Sequence, residues 1–174
     1  MLQKYNRYNL LKIFLDSPTE NFRLRELSRL SKISPVSVIN YLKELESREL
    51  IKKFKKRGIP FYQAVRDSKK FVLYKKISII YELNESGLIS ELWERLSPEA
   101  IILYGSYAKG ESTEESDVDL FIIGKERKID IHLFEKKLNK HIHLMFESDI
   151  RKVPHELKNN LINGIILEGY LKVF

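Results

Sequence analysis

The sequence contains no cysteine and only two methionines among its 174 residues. The absence of cysteine excludes disulfide bonds, thiolate metal sites and cysteine nucleophiles, and it is typical of proteins from a reducing cytoplasm. No apolar run approaches the roughly 18 residues that a membrane-spanning helix needs. The N-terminal segment mixes apolar and polar residues at helical spacing, without a small-residue cleavage site, so we expect no signal peptide. The sequence therefore predicts a cytoplasmic protein without a membrane partner.

Positive charge is in excess, and it is unevenly distributed. The formal net charge is +7. Residues 1–70 contain 17 Lys and Arg against 7 Asp and Glu, whereas residues 71–174 contain 14 against 17. This segregation predicts two functional parts, the first of which binds a polyanion such as nucleic acid. A merely solvated surface is the alternative, but it leaves the segregation unexplained.

The N-terminal part shows the pattern of three helices followed by a basic hairpin. Helical spacing predicts the first two helices within residues 5–15 and 24–30. The third begins at Ser34-Pro35, because serine caps free N–H groups and proline fits the first helical position, and it runs to about Glu49. Its predicted core positions are Val38, Leu42 and Leu45. On the opposite face we place Ser37, Asn40, Tyr41 and Glu44. The hairpin follows as LIKKFKKRGIPFYQAV, with its tip at residues 56–60. Gly58 permits a turn there, and we expect Pro60 to interrupt strand pairing.

These elements resemble a winged helix-turn-helix domain over residues 1–67, with the closest motif match in SPVSVINYLKELESRELI. In that family the third helix enters the major groove and the wing touches the DNA backbone. The resemblance implies base or phosphate contacts by Ser37, Asn40 and Tyr41. It implies phosphate contacts by Lys52, Lys53, Lys55, Lys56 and Arg57. Such domains also serve as protein–protein modules, but the basic wing favours double-stranded DNA as the partner. Many family members carry glycine where Glu49 stands.

Residues 68–97 are predicted to form a helical connector. Two helices, at about 70–84 and 90–96, are separated at Ser86-Gly87. The first has a broad apolar face, which is typical of a core or of a homodimer interface.

A short stretch of the C-terminal part combines two signals of phosphate and metal chemistry. A buried strand, AIILY, leads directly into Gly105-Ser106, where a close backbone approach and free N–H groups suit a phosphate. A second strand, VDLFII, follows Asp117 and contains Asp119, so these carboxylates lie on one side, roughly 6–7 Å apart. Carboxylates this close repel each other unless a cation lies between them, and their oxygens suit Mg²⁺ or Mn²⁺. The combination predicts metal-assisted chemistry on a nucleoside triphosphate.

The pattern G-S-x-x-x-G followed by S-D-x-D-L resembles the nucleotidyltransferase superfamily of DNA polymerase beta, and most closely its minimal members, over residues 98–174. The resemblance implies a mixed sheet flanked by helices, and hence an α+β protein. It implies that a hydroxyl attacks the α-phosphorus of a nucleoside triphosphate, with ATP as the expected donor, and releases pyrophosphate. The implied nucleotide-binding residues are Gly105, Ser106, Gly110 and Ser116. The implied metal ligands and catalytic residues are Asp117 and Asp119. In antitoxin-like minimal members the acceptor is a side chain of a partner protein.

The chain departs from this family at the third carboxylate. The strand KHIHLMFES has no acid at the expected place, and His143 falls there instead. Histidine can bind a metal or act as a base, so His143 is a catalytic candidate; a partly buried strand residue without a role is the alternative. Asp130 is expected to cap the helix that begins at Ile131. Two hypotheses stay open: a nucleotidyltransferase joined to a DNA-binding domain, and a DNA-binding regulator whose second domain only senses a nucleotide.

Overall fold

A computed structural model of the protein describes residues 5–172, so residues 1–4 and 173–174 of the predicted end domains lie outside the described part. The chain divides into two compact units, with the division between Lys75 and Lys76. The domain boundaries that we expect after residues 67 and 97 stay predictions. Among the helices within residues 5–172, none is long and apolar enough to cross a lipid bilayer.

The first unit consists of three helices and a two-stranded hairpin. In chain order its elements are α1 (Asn6–Asp16), α2 (Leu24–Ser31), α3 (Pro35–Ser47), β1 (Ile51–Lys56) and β2 (Ile59–Ala64). As expected, Ser34 caps α3, since its Oγ accepts a hydrogen bond from the backbone N–H of Ser37 at 3.3 Å. Helix α3 ends two residues before Glu49, and Glu49 itself has φ 61°. The left-handed conformation that favours glycine is therefore present although glycine is not. Whether this unit is a winged helix-turn-helix domain stays a prediction.

The hairpin turn is tighter than predicted. Lys56 pairs with Ile59 and Lys55 with Pro60, which leaves a two-residue turn of Arg57 and Gly58 with φ of 51° and 79°. Positive φ at both positions is the geometry that suits two-residue hairpins. Our expectation that Pro60 interrupts pairing is wrong. Because hydrogen-bonded pairs alternate along an antiparallel ladder, the nitrogen of Pro60 faces away from β1 and needs no partner there.

A long helix, α4 (Lys69–Ser86), runs through the point of division, and α5 (Leu88–Leu96) follows it. The predicted break at Ser86-Gly87 is confirmed, since Gly87 separates the helices with φ 87°. Helix α5 begins two residues earlier than the predicted start at residue 90. The end of α4 and the whole of α5 contribute Ile79, Leu83, Leu88 and Leu92 to a core cluster of the second unit. This part of the predicted connector therefore packs as part of the second unit.

The second unit is built on a mixed sheet with the strand order β5-β4-β3-β6. After α5, its elements in chain order are β3 (Ala100–Tyr104), α6 (Gly105–Lys109), β4 (Val118–Ile123), α7 (His132–Leu138), β5 (Ile142–Glu147), α8 (His155–Ile162) and β6 (Ile165–Gly169). Strands β4 and β5 are parallel, whereas β3 is antiparallel to both β4 and β6. The apolar side chains of β3 and β4 alternate between two core clusters, one on each face of the sheet. This is the α+β arrangement that the sequence predicts for the C-terminal part.

Candidate active site

Three side chains from neighbouring strands form a row across one face of the sheet. In the strand register, Tyr104 of β3 lies opposite Asp119 of β4, and Asp119 lies opposite His143 of β5. Asp119 Oδ1 is 3.5 Å from His143 Nδ1. The side chain of Asp119 is 28% exposed and that of His143 is 57% exposed, so the row is open to solvent on the β5 side.

The charge balance of the row favours a bound cation. Partial burial raises the pKa of the Asp119 carboxyl; the neighbouring His143 lowers it, and the charge of Asp117 raises it, with a net increase. Burial, and then the charge of Asp119, also raise the pKa of the Tyr104 hydroxyl. Both shifts mean that additional negative charge is unfavourable at this place. A positive ion beside Asp119 would remove that penalty.

Gly105 leaves the space that the Asp119 carboxylate occupies. It follows β3 with φ 71°, a backbone conformation that favours glycine. A Cβ atom at this position would lie 2.4 Å from Asp119 Oδ2, closer than two such atoms can approach. The glycine turn and the carboxylate, which come from separate parts of the motif, are therefore in direct contact. Any larger residue here would have to displace the carboxylate, a constraint that the sequence alone does not reveal.

The remaining candidates of the motif lie around this contact. Ser106 is half-buried in the first turn of α6, and Asp117 is exposed immediately before β4. Gly110 ends α6 with φ 76°, and the Oγ of Ser116 accepts a hydrogen bond from the N–H of Thr113 at 2.9 Å. Gly110 and Ser116 thus shape the loop between α6 and β4. Their contact with a nucleotide stays a prediction.

The side chains of the site suit a divalent cation whose coordination is supplied partly by the protein and partly by a substrate. Within residues 5–172, no group of three or more His, Asp and Glu side chains is arranged to hold a metal ion. Asp117 and Asp119 still offer the carboxylate oxygens that Mg²⁺ and Mn²⁺ prefer, and His143 offers a nitrogen beside one of them. With so few protein ligands, phosphate oxygens would have to complete the coordination. This is the usual arrangement for Mg²⁺ at a nucleotide.

The family comparison agrees with this geometry. Residues 86–167 match the model of the family described as "Nucleotidyltransferase domain". This part of the chain is a nucleotidyltransferase domain. The matched range begins at the end of α4, includes α5 and ends within β6. It therefore contains the complete row and the Gly105 turn, and it starts before residue 98, where we expect the domain to begin.

Two proteins of Methanocaldococcus jannaschii (strain ATCC 43067) are similar to this chain, and each is named "putative protein adenylyltransferase". The first is 43% identical over 64 residues, which is 37% of this chain and 49% of that protein. The second is 44% identical over 48 residues, which is 24% of this chain and 48% of that protein. The matched part thus spans about half the length of these curated relatives. No solved structure matches the chain at a comparable level of significance.

The helix predicted to enter DNA exposes a different face from the one expected. Asn40 is exposed, but Ser37 is half-buried with its Oγ 3.0 Å from Ser34 Oγ, and Tyr41 is half-buried against the core. Tyr41 also lines a cavity of about 300 Å³ in the first unit. The expectation that Tyr41 faces outward is therefore wrong, and Ser37 lies at the edge of the outward face. Their contact with DNA stays a prediction.

The outward face of α3 instead carries Val36, Ile39, Asn40 and Lys43. Successive helical residues are 100° apart, so the direction opposite Val38, Leu42 and Leu45 passes through positions 36, 40 and 43. The same spacing puts Tyr41 at the flank of the core, and it puts Ser37 and Ile39 on opposite edges of the outward face. This angular count needs only the sequence, and it is the signal that identifies Val36 and Lys43.

The basic residues of the hairpin are exposed, and their contact with DNA phosphates stays a prediction. The exposed set consists of Lys52, Lys53, Lys55, Lys56 and Arg57. Strand alternation sends Lys53 and Lys55 to one face of the hairpin and Lys52 and Lys56 to the other, so the positive charge surrounds the tip. Elsewhere, α7 begins at His132, one residue after the predicted start, with Ile131 rather than Asp130 at the N-cap position. Asp130 still acts at the helix start, since its Oδ1 accepts a hydrogen bond from the N–H of His132 at 3.0 Å.

Proposed function

We propose that the protein is a metal-dependent nucleotidyltransferase that moves a nucleoside monophosphate from a triphosphate, with ATP as the expected donor, onto a hydroxyl of a partner protein. The contact of Asp119 with Gly105 carries this proposal, because it joins the carboxylate to the turn that would receive the phosphates. The names of the two archaeal relatives support adenylyl transfer to a protein. The family match supports a triphosphate substrate with Mg²⁺ or Mn²⁺.

Each residue of the site has its own role in the proposed reaction. The turn at Gly105 and Ser106 would contact the β- and γ-phosphates, and Asp117 and Asp119 would hold the divalent ion. When bound, such an ion offsets the negative charge of the phosphates. As the acceptor oxygen forms its bond to the α-phosphorus, its proton passes to His143. The bond from the α-phosphorus to the bridging oxygen breaks, and pyrophosphate leaves.

Incorporation of label from α-labelled ATP tests this function. The acceptor is sought first among proteins that co-purify with the full chain. We expect transfer in the wild type and a decrease of about 100-fold or more in Asp117→Asn and in Asp119→Asn, because each removes charge needed in the transition state. Glu115→Gln is the matched control, since it neutralises an exposed carboxylate of the same loop outside the site. Equal transfer by wild type and both Asp variants would refute the assignment.

A second function is favoured by one observation: His143, rather than an acid, lies in register with Asp119. Without a third carboxylate, the domain could bind a nucleotide without transferring it. The bound nucleotide could then regulate the first unit. Binding of Mg²⁺–ATP by the wild type, with no pyrophosphate released with any acceptor, would favour this function. Loss of that binding in Asp119→Asn would still locate the nucleotide at the row.

We propose further that the first unit is a winged helix-turn-helix domain that binds double-stranded DNA. The helix order, the basic hairpin and the excess positive charge of residues 1–70 support this interpretation. A salt titration tests it, because phosphate neutralisation releases counterions and makes affinity fall steeply as salt rises. Absence of duplex binding at low salt would refute it. A homodimer and a cytoplasmic location stay predictions, which sedimentation and cell fractionation would test.

A further inference from the structure

The outward face of α3 has an unusual composition for an exposed helix in so basic a unit. Val36 is 70% exposed and Ile39 is 36% exposed, although both are apolar. Beside them on the helix surface stands Asn40, also exposed, and Lys43 continues the same stripe. The side chains that could have offered hydroxyls to a groove, Ser37 and Tyr41, are turned towards Ser34 and the core.

The polar residue of this face, Asn40, has the hydrogen-bonding groups that recognise adenine. In the major groove, an asparagine amide can accept a hydrogen bond from the N6 amino group of adenine and donate one to N7 at the same time. No other base offers this pair of groups in the same order. Asn40 is suitably placed for such a contact, because its side chain is exposed to solvent in the middle of α3.

The apolar residues of this face, Val36 and Ile39, suit contact with thymine, the base that pairs with adenine. Thymine presents a C5-methyl group in the major groove, and apolar side chains contact it. Val36 and Asn40 are four residues apart, about 6 Å along the helix axis, which is close to two base-pair steps of about 3.4 Å. Ile39 lies about one turn after Val36 and neighbours it on the helix surface. The spacing allows an adenine and nearby thymine methyls to be contacted together.

We propose that α3 reads A·T base pairs in the major groove, with Asn40 on adenine and with Val36 and Ile39 on thymine methyl groups. This inference rests on the proposed DNA binding of the first unit and adds the bases that it selects. Lys43 and the hairpin lysines would contribute phosphate contacts that carry no sequence information. Two of these three base-reading residues, Val36 and Ile39, are absent from the set that polarity alone selects, although the angle around the helix axis identifies Val36.

The test begins with selection of duplexes from a random pool by the full chain at moderate salt. Each thymine of the selected site is then replaced by uracil, which removes only the C5-methyl group and leaves the protein unchanged. We expect adjacent A·T pairs in the selected site and about fourfold weaker binding for each contacted methyl, as the transfer free energy of one buried methyl implies. The uracil effect should disappear in Val36→Ser or Ile39→Ser at the corresponding thymine. Asn40→Ala should bind the selected site about tenfold or more weakly.

Leu73→Ser is the matched control, because Leu73 is 55% exposed on α4 rather than α3. It should keep the full uracil effect. If the chain binds duplex at low salt but selects no A·T pairs, or selects them without any uracil effect, base reading by α3 is refuted while DNA binding stands. If the chain binds no duplex at all, the DNA-binding function itself is refuted. A changed oligomeric state in Val36→Ser or Ile39→Ser, with unchanged duplex affinity, would show a protein interface and overturn the proposal.

Discussion

Asp119 and His143 face each other across the parallel strands β4 and β5, with 3.5 Å between Asp119 Oδ1 and His143 Nδ1. In a three-carboxylate site this place would hold an acid, so the pair decides what kind of nucleotidyltransferase domain the chain contains. An imidazole at this position can take a proton or bind a metal, but it cannot add the negative charge of an acid. Substitutions at the pair and at the turn beside it separate these roles from a purely structural one.

Replacement of His143 tests its role as the proton acceptor. We expect His143→Ala to lower kcat for transfer by about 100-fold, within the usual contribution of a general base, with little change in the KM for ATP. His143→Asp should retain part of the activity and depend less on Mn²⁺ relative to Mg²⁺, because a carboxylate suits the harder ion better than an imidazole does. Transfer rates with each metal are measured in parallel. Unchanged kcat in His143→Ala would contradict the role, and an Asp variant more active than the wild type would favour the nucleotide-sensing function.

Gly105→Ala tests the contact between the turn and the carboxylate. The new Cβ would displace Asp119, so we expect transfer to fall by about 100-fold, as displacements of about 1 Å in catalytic groups do. Gly87→Ala is the matched control, because Gly87 has a similar φ of 87° but its Cβ would meet only Phe134 Cε1, at 4.0 Å. Both variants should lose about 1–2 kcal/mol of stability from the left-handed backbone. Equal activity in the two variants would mean that the turn does not position Asp119.

The salt dependence of duplex binding tests the hairpin. With Lys55, Lys56 and Arg57 replaced by glutamine, we expect the slope of log K against log salt to decrease by about 1 for each phosphate interaction that the substitutions remove. Arg66→Gln, an exposed cation after β2, serves as the control and should leave the slope unchanged. The slope is obtained from fluorescence anisotropy at several salt concentrations. A similar change in all variants would indicate that net charge, rather than the hairpin, determines binding.

The ion pair of Asp149 with Arg151 predicts a change of stability with pH. Hydrogen bonds from the Arg151 side chain, and then from its backbone, lower the pKa of Asp149 from 3.8 to about 2. A depressed carboxyl pKa stabilises the folded state above the unfolded value, and this contribution is lost as pH falls from 3.8 through about 2. Denaturant unfolding of wild type and Asp149→Asn should therefore differ most near neutral pH and converge in that acid window. A difference independent of pH would contradict the pairing.

Most of the second unit can be predicted because its strands carry continuous apolar runs. The segments Ala100–Tyr104 and Val118–Ile123 are strands with the predicted bounds, since each run is too short for a typical buried helix and is followed by glycine. The register that places His143 beside Asp119 follows from pairing between distant segments, and the sequence indicates it only through family resemblance. The contact of Gly105 with Asp119 depends on that same packing, so no local pattern predicts it.

The first unit is harder to predict where local rules compete. Pro60 is compatible with a strand because its nitrogen faces away from β1, and Glu49 adopts a conformation that usually selects glycine. In both cases tertiary structure outweighs the local preference of the residue. On α3, polarity alone selects Tyr41 as an outward residue, whereas the angle around the helix axis places it at the flank of the core.

The position of β4 within the sheet has a consequence for hydrogen exchange. Strand β4 is paired on both sides, by β3 and by β5, whereas Asp117 stands in the loop that precedes it. Amides of doubly paired strands open only with large parts of the fold, while loop amides exchange through local fluctuations. We therefore expect the amide of Asp119 to be among the slowest of its unit to exchange, and that of Asp117 to exchange faster. In the proposed site, one metal ligand would then be held by the sheet while the other would be carried by a loop.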